Sequence, residues 1–360
     1  MIAAIHADAI ALLSQTGLSK TGLPKTGLPK TGLPDAQLVA VTDVDAGAAA
    51  AFAAARGCPA EPDLGALLTR RDVDVVCVCV PSGLHAAIGV QAAEAGKHLV
   101  VEKPIDVSLD AADRLIDAAR AAGVGLTVIS QHRFDPGLVE LKRLLDDRAL
   151  GRLVLGEAST KWYRAQAYYD SAAWRGTWTM DGGSLMNQGV HYVDLLRWCL
   201  GPAAEVTAMC ATQAHQIEVE DTSLAIVRFA SGAVGTILSS TAAFPGFPQR
   251  LEITGTEGTV IVEDGRIVRR ALAADPDPKA PESPPSPAAA AVDVDADRSA
   301  AADPAALEVA SHAAQLADLL DAVDTGREPA VSGADGRAAL QIVLAVYESS
   351  RTGRPVTLSS

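Results

Sequence analysis

Residues 72–104 read DVDVVCVCVPSGLHAAIGVQAAEAGKHLVVEKP, and this stretch decides the fold. Asp72 to Val80 is a near-continuous apolar run rich in valine. Such runs mark strands covered on both faces, as in parallel sheets. Leu84 to Ala95 reads as a helix, and Gly96 stops it. Lys97 to Val101 is the next apolar run, and Glu102-Lys103-Pro104 follows it at once. Strand, helix and strand within about 30 residues make one βαβ unit.

The pattern continues on both sides. Upstream, Gln37 to Val44 (QLVAVTDV) predicts a strand, and the alanine-rich Ala46 to Arg56 a helix. Downstream, Leu109 to Ala122 predicts a helix ended by Gly123, and Gly125 to Ser130 another strand. The alternation predicts an α/β domain over residues 1–130 with a doubly wound parallel sheet. Ligands on such sheets bind beyond the carboxyl ends of the strands. The informative residues are therefore Asp43, Pro81-Ser82, Glu102-Lys103-Pro104 and Gln131-His132-Arg133.

The texture changes after about residue 150. Val154–Tyr163, Val206–Gln213, Ser223–Phe229, Ala233–Ser239 and Leu251–Thr254 predict strands, several joined by short turns such as Ser231-Gly232. Met186 to Leu200 predicts one helix among them. Residues 131–360 are thus expected to form an α+β domain with a large, mostly antiparallel sheet. Two segments are low in complexity. Thr16 to Asp35 is a repeat insertion, TGLSK-TGLPK-TGLPK-TGLPD, and Ala273 to Pro304 is a Pro/Ala/Ser/Asp-rich stretch expected to be a mobile loop. A five-residue period is too short for a solenoid, whose repeats run to about 20 residues or more.

Bulk properties exclude several classes of function. The chain has 360 residues and a net charge of −14, which argues against nucleic acid or an anionic membrane as partner. No apolar run reaches the roughly 18 residues of a membrane span. Met1 to Leu13 has no basic leading region, so it does not read as a signal peptide. The five cysteines are odd in number and form no C-x-x-C pair. Neither a disulfide framework nor a metal site is expected, and a reducing cytoplasm fits.

Four groups of residues can carry chemistry. Lys103 stands directly after a buried strand, where it can donate to a substrate hydroxyl or help move its proton. It can equally be a surface lysine before a proline turn. Asn187, His191, Asp194 and Arg197 recur every three or four residues and share one helix face. His191 there can act as general acid or base, or be a core histidine bonded to Asp194. Asp43 ends a strand, where a carboxylate can accept from both ribose hydroxyls and would repel a 2′-phosphate, favouring NAD over NADP. It can equally cap the following helix, a role open to Asp45 as well. Finally, KWYRAQAYYDSAAWRGTW (161–178) holds three of the four tryptophans and three of the five tyrosines. Lys161, Arg164, Tyr168, Trp174 and Arg175 can form a wall for a sugar ring with cations for an acidic group, or a plain packing cluster.

Read in order, the pieces VTDVD (41–45), VCVPSGLH (78–85), GKHLVVEKP (96–104), GGSLMNQGVHYVDLL (182–196), ITGTEGTV (253–260) and SGADGRAALQIVLAVYESSRTGRPV (332–356) resemble the glucose–fructose oxidoreductase / inositol dehydrogenase / MocA family. The resemblance runs from about Ile2 to the end. KWYRAQAYYDSAAWRGTW, MNQGVH and AFPGFPQRLEI (243–253) look most like UDP-sugar 3-dehydrogenases, which act on UDP-N-acetylglucosaminuronate-like substrates. The resemblance implies a Rossmann domain, a sheet-rich C-terminal domain and bound NAD, with NADP less favoured. It implies dehydrogenation of a ring hydroxyl of a sugar, nucleotide-sugar or polyol, and a homodimer or homotetramer built through the C-terminal sheet. Lys103 and His191 would then be the catalytic pair, with Asn187 where relatives often carry Asp. Pro81, Ser82, His85, Glu102 and Gln131 would line the cofactor.

The chain departs from that family at its front. Relatives open with a strand and a G-x-G-x-x-G-like loop that brings backbone and a helix N-terminus to the pyrophosphate. Here the sequence begins within or after that loop. Two expectations follow: the reading frame starts further upstream, or the chain lacks the strand and binds dinucleotide poorly. The alternatives to a dehydrogenase are a non-catalytic homologue and a glycosidase of the same fold that uses NAD transiently.

Overall fold

The computed structural model describes residues 2–16, 36–275 and 309–358. The repeat insertion and the Pro/Ala-rich stretch lie outside them, apart from Thr16 and residues 273–275.

Contacts divide the chain into two compact units. The first is Met1–Gln131 with Glu308–Arg337, and the second is His132–Leu307 with Ala338–Ser360. One crossing between the units lies at residues 131–132. The chain comes back to the first unit near its end, because the helix Val309–Thr325 is buried along residues 311–319 and its Ala313, Leu316, Ala317 and Leu319 join that unit's core.

In the first unit, helix α1 (Ile2–Thr16) leads, followed by α2 (Ala46–Arg56) and α3 (Leu64–Thr69). Strand β1 (Val75–Val78), α4 (His85–Glu94), β2 (His98–Val101), α5 (Leu109–Ala122) and β3 (Leu126–Val128) form the predicted alternation. The strands lie parallel in the order β1-β2-β3, with Val75 opposite His98 and Leu99 opposite Leu126. β2 is the middle strand, and Leu99, Val100 and Val101 are fully buried. That two-sided burial is why the run lacks polar alternation. Gly123 ends α5 in the left-handed conformation at φ 67°, as the sequence signal required. Ala9, Leu13, Val100, Ile129, Ala313, Leu316 and Leu319 make one core, in which α1 meets the helix at Val309–Thr325.

One expected strand does not form. Gln37 to Val44 makes only an isolated parallel bridge, Val41 with Ala60. Val41 donates to Pro59 O at 3.1 Å and accepts from Glu61 N–H at 2.8 Å. A strand is a ladder, and among the described residues no neighbour supplies its other rungs; local β propensity cannot replace them.

The second unit begins with α6 (Pro136–Asp146), β4 (Leu153–Lys161) and the short α7 (Gln166–Asp170). The helix expected at Met186–Leu200 is a π-helical turn, Leu185–Gly189, that runs into α8 (Val190–Leu200). Then come β5 (Ala203–Ala211), β6 (Thr222–Phe229), β7 (Val234–Ser240), β8 (Arg250–Gly255), β9 (Gly258–Glu263) and β10 (Arg266–Leu272). The last elements are α9 (Val309–Thr325, in the first unit), α10 (Gly333–Thr352), within which the division falls, and β11 (Val356–Thr357). The sheet order is β10-β9-β8-β4-β7-β6-β5-β11. Every pair is antiparallel except β4 with β7. On the inner face Gly156 and Gly235 sit close beneath Leu196 of α8. On the outer face Leu155, Met209, Leu224, Ile226 and Val234 are exposed.

Candidate functional site

The loops after β1, β2 and β3 carry Pro81, Ser82, Glu102 and Gln131, and Asp43 lies just ahead of α2. Asp45, not Asp43, caps α2: its carboxylate accepts from Gly47 and Ala48 N–H. Asp43 is exposed and its carboxylate accepts the N–H of Asp45 at 2.9 Å, so the cap of α2 is its neighbour. After β1, Pro81 leads into a tight turn at Ser82–Leu84, and Ser82 is buried. His85 opens α4 with both ring nitrogens on backbone carbonyls, Pro104 O at 2.7 Å and Val80 O at 2.9 Å. It staples the loop after β1 to the loop after β2. Burial lowers its pKa, and the carbonyls only partly offset this.

After β2, Glu102 is buried. Its Oε1 accepts from His6 Nε2 at 2.7 Å, and its Oε2 accepts from the Lys103 N–H at 3.1 Å. Burial pushes the Glu102 carboxyl up, but the His6 bond and charge, with Lys103 and His312, bring it down to about 2. Burial likewise pulls the His6 imidazole down, and Cys79, Cys77 and Glu102 outweigh it, so His6 is raised. Glu102 thus acts as an ionised anchor under Lys103, and His6 on α1 is its counter-charge. His312 of α9 stands edge-on to His6, with ring centroids 5.8 Å apart. Ligand atoms of His6, Glu102 and His312 lie within 4.8 Å of one another, and two of them are already bonded together. Gln131, after β3, is buried at the end of this unit.

In the second unit, His191 and Asn187 are brought to one end of the π turn and α8. Asp194 faces a guanidinium. It takes a bidentate pair from Arg133, Nε at 2.7 Å and Nη2 at 2.5 Å, and both residues are buried. His191 meets His132 edge-to-face, with ring centroids 5.1 Å apart. His132 donates from Nδ1 to Asp135 Oδ2 at 2.7 Å. A carboxylate can only accept, so this bond fixes the proton of a neutral His132 on Nδ1.

Asn187 donates from Nδ2 to Asp181 Oδ1, while Asp181 Oδ2 accepts from Gly176 N–H at 2.8 Å. Asp181 is 1% exposed. The negative charge missing at position 187 is therefore restored next to it. Sequence spacing did not reveal Asp181, because six residues is no helical repeat and the segment between is a turn. His132 was legible as a strand-end residue, but its partner Asp135 and its stacking on His191 were not.

The aromatic segment is partly gathered. The Arg175 guanidinium lies 4.3 Å from the Tyr168 ring centroid and 4.5 Å from that of Trp174, and its Nη1 donates to Tyr168 OH at 2.7 Å. Arg164 is buried, 4.9 Å from the Trp162 ring and 5.6 Å from Tyr168. Lys161 stands apart: it is exposed, with Nζ 5.5 Å from the Phe247 ring. Cation–π pairs of this kind contribute about 0.5–2 kcal/mol each. They leave a rigid platform centred on Tyr168.

Among the described residues no helix is long and apolar enough to cross a membrane. Residues 17–130 match the oxidoreductase family with an NAD-binding Rossmann fold, and residues 138–261 match the GFO/IDH/MocA C-terminal domain. The chain is 28% identical over 332 residues to the inositol 2-dehydrogenase of Rhizobium meliloti, spanning 90% of this chain and 92% of that one. It is 26% identical over 299 residues to the myo-inositol 2-dehydrogenase of Thermotoga maritima, spanning 81% and 82%. It is also similar to the WlbA dehydrogenase of Bordetella pertussis, solved with NADH and UDP-GlcNAcA, with a TM-score of 0.81 and 30% identity over 100% of this chain and 96% of that one. These relatives are dehydrogenases, which favours neither a glycosidase nor a cofactor-free homologue. The sheet topology, the strand-end residues and these matches agree that the chain belongs to the GFO/IDH/MocA family of NAD-binding oxidoreductases.

Proposed function

We propose that this protein is an NAD-dependent dehydrogenase of a ring hydroxyl on a nucleotide-sugar acid, with simpler sugars and polyols as the wider substrate class. The observation that carries the reading is the arrangement within the second unit: His191 backed by the Asp135-tethered His132, Asn187 joined to buried Asp181, and a Tyr168 platform flanked by two arginines.

The residues present fit NAD at three places. Asp43 is an exposed carboxylate suited to ribose hydroxyls and hostile to a 2′-phosphate, so NADP is disfavoured. Pro81 and Ser82 form a tight turn at a strand end, held by His85, and Glu102 and Gln131 complete the other two strand ends. The N-terminus of α1 offers backbone N–H groups to a diphosphate. When bound, NAD supplies the hydride acceptor. Lys103 supplies a cation that donates to the reacting hydroxyl and lowers the cost of its deprotonation. His191 takes the hydroxyl proton. Asn187, oriented by Asp181, holds a neighbouring hydroxyl, and Arg175 and Trp174 with Arg164 and Tyr168 accept the acidic or planar part of the substrate. Lys161, exposed beside Phe247, adds a cation at the outer end. The free cysteines fit a cytoplasmic setting, and the apolar outer face of the sheet fits a homodimer or homotetramer.

Incubation with NAD+ and UDP-N-acetylglucosaminuronate is expected to build up NADH, faster than with myo-inositol. Bound NAD by calorimetry without NADH from either compound would sink the assignment. Asp43→Ala is expected to weaken NAD binding about ten- to hundredfold, since hydrogen bonds to a charged group contribute about 1.5–3 kcal/mol. The ratio of kcat/KM for NAD to that for NADP reads it, and an unchanged ratio removes Asp43 from the cofactor site.

A further inference from the structure

Beside the residues assigned above lies one buried carboxyl that touches the turn leading to Asn187 and His191. Glu220, in the loop before β6, is 3% exposed. Its Oε1 accepts from Leu185 N–H at 2.8 Å and from Tyr347 OH at 3.2 Å. Its backbone oxygen accepts from Ser184 N–H at 2.9 Å. A Cβ on Gly183 would stand 1.7 Å from Glu220 Oε2 and 2.4 Å from its backbone oxygen, so only glycine lets the turn lie this close. Residues 183, 184 and 185 are thus all seated on one side chain and its peptide. Leu185 opens the π turn, and Asn187 sits inside it. A π turn holds one residue more than an α turn, so its anchoring decides where the residues after it point.

We propose that Glu220 is a positioning residue for the reaction: by seating the 183–185 turn it sets the register in which Asn187 and His191 are presented, and loss of its proton loosens that seat. This rests on the roles given to Asn187 and His191 above. The physical reason is the contrast with the adjacent carboxylate. Asp221 accepts from the N–H groups of Gln213, Ala214 and His215, which offset its burial and keep its pKa low. Among the described residues Glu220 has no such nest, and its Oε2 has no hydrogen-bond partner. Burial raises its pKa to about 7, although Leu185 N–H and Tyr347 OH work the other way. Among the described residues the titratable groups that face it are Asp221 beside it, Tyr347 of α10 and Cys210 of β5, none of them a cation. The anion stands buried against the Asp221 carboxylate, and that repulsion with the cost of burying the charge works against the seat.

Glu220→Gln keeps the shape and an acceptor oxygen but does not ionise; Glu220→Ala removes the seat. With NAD+ and UDP-N-acetylglucosaminuronate, wild-type kcat is expected to fall as pH rises through about 7. Glu220→Gln is expected to keep kcat within a few-fold at lower pH and to lose that inflection. Glu220→Ala is expected to lower kcat about 10- to 100-fold, with the KM for NAD+ unchanged, because misplaced groups cost this much even when binding survives. A substrate-free readout accompanies these. Trp178 stands edge-on to Tyr347, with ring centroids 5.1 Å apart. Its fluorescence is expected to titrate near pH 7 in the wild type and not in Glu220→Gln. Stability follows the same sign: the unfolded chain ionises at the ordinary glutamate value and the folded one near 7, so stability falls between those pH values in the wild type only. A Glu220→Gln variant with the wild-type kcat profile overturns the proposal, as does a Glu220→Ala variant with normal kcat. If the fluorescence transition depends on Glu220 but His191→Asn turns over normally, the site reading fails and the seating of the turn stands.

Discussion

Lys103→Met is expected to lower kcat by about 10²- to 10⁴-fold, the range that a positioned general acid–base group contributes. Methionine keeps the length of the side chain and removes its charge and donors. The backbone at Lys103 is tied to Glu102, whose Oε2 accepts the Lys103 N–H, and Glu102 is itself held by His6. The substitution therefore leaves the anchor intact and removes only the cation. NAD binding, read by calorimetry, is expected to change by no more than a few-fold. His191→Asn, which keeps a hydrogen-bonding side chain but cannot hold the proton, is expected to fall within the same range. Steady-state kcat and KM on both variants check this, and near-wild-type turnover for Lys103→Met would remove the lysine from the mechanism.

Asp194→Ala destabilises the second unit by about 3–5 kcal/mol, the cost of stripping one partner from a buried ion pair. Arg133 and Asp194 are both buried, and the guanidinium donates twice to the carboxylate. It also lies 5.4 Å from the Trp198 ring. Without Asp194 the guanidinium stays buried and lacks its bidentate carboxylate. Replacing both residues with apolar ones of similar volume (Arg133→Met with Asp194→Leu) is expected to recover most of the loss. Denaturant midpoints at constant slope measure both effects. A loss below about 1 kcal/mol for Asp194→Ala would place the pair in the class of exposed bridges instead.

That ion pair also shows where sequence reasoning stops. On a helix, Asp194 follows His191 by three residues, and spacing makes them natural partners. The structure gives Asp194 to Arg133, 61 residues away, and His191 to His132. Helical spacing lists neighbours on one surface, but it cannot show that a bidentate guanidinium from a distant segment reaches a buried carboxylate. Asn187 follows the same logic. It reads as a lost charge, yet Asp181 stands against it because the glycine turn between them folds back. Asp43 and Asp45 were indistinguishable as caps until Asp45 was found on the N–H groups of α2.

The sequence by itself determined the two-part architecture, the parallel three-strand core with its helices, most strands of the second sheet, the family and the strand-end position of Lys103. Those features depend on period, burial and turn chemistry, which are local. Only the tertiary structure decided that Gln37 to Val44 forms no ladder, that the chain comes back to the first unit through α9, and that a π turn interrupts the helix before His191. It alone also supplied the partners: His132 for His191, Asp181 for Asn187, His6 for Glu102 and Tyr347 for Glu220. Each of these turns on which distant group can satisfy a buried strand edge, charge or donor. That demand arises only once water is excluded, so no local pattern records its answer.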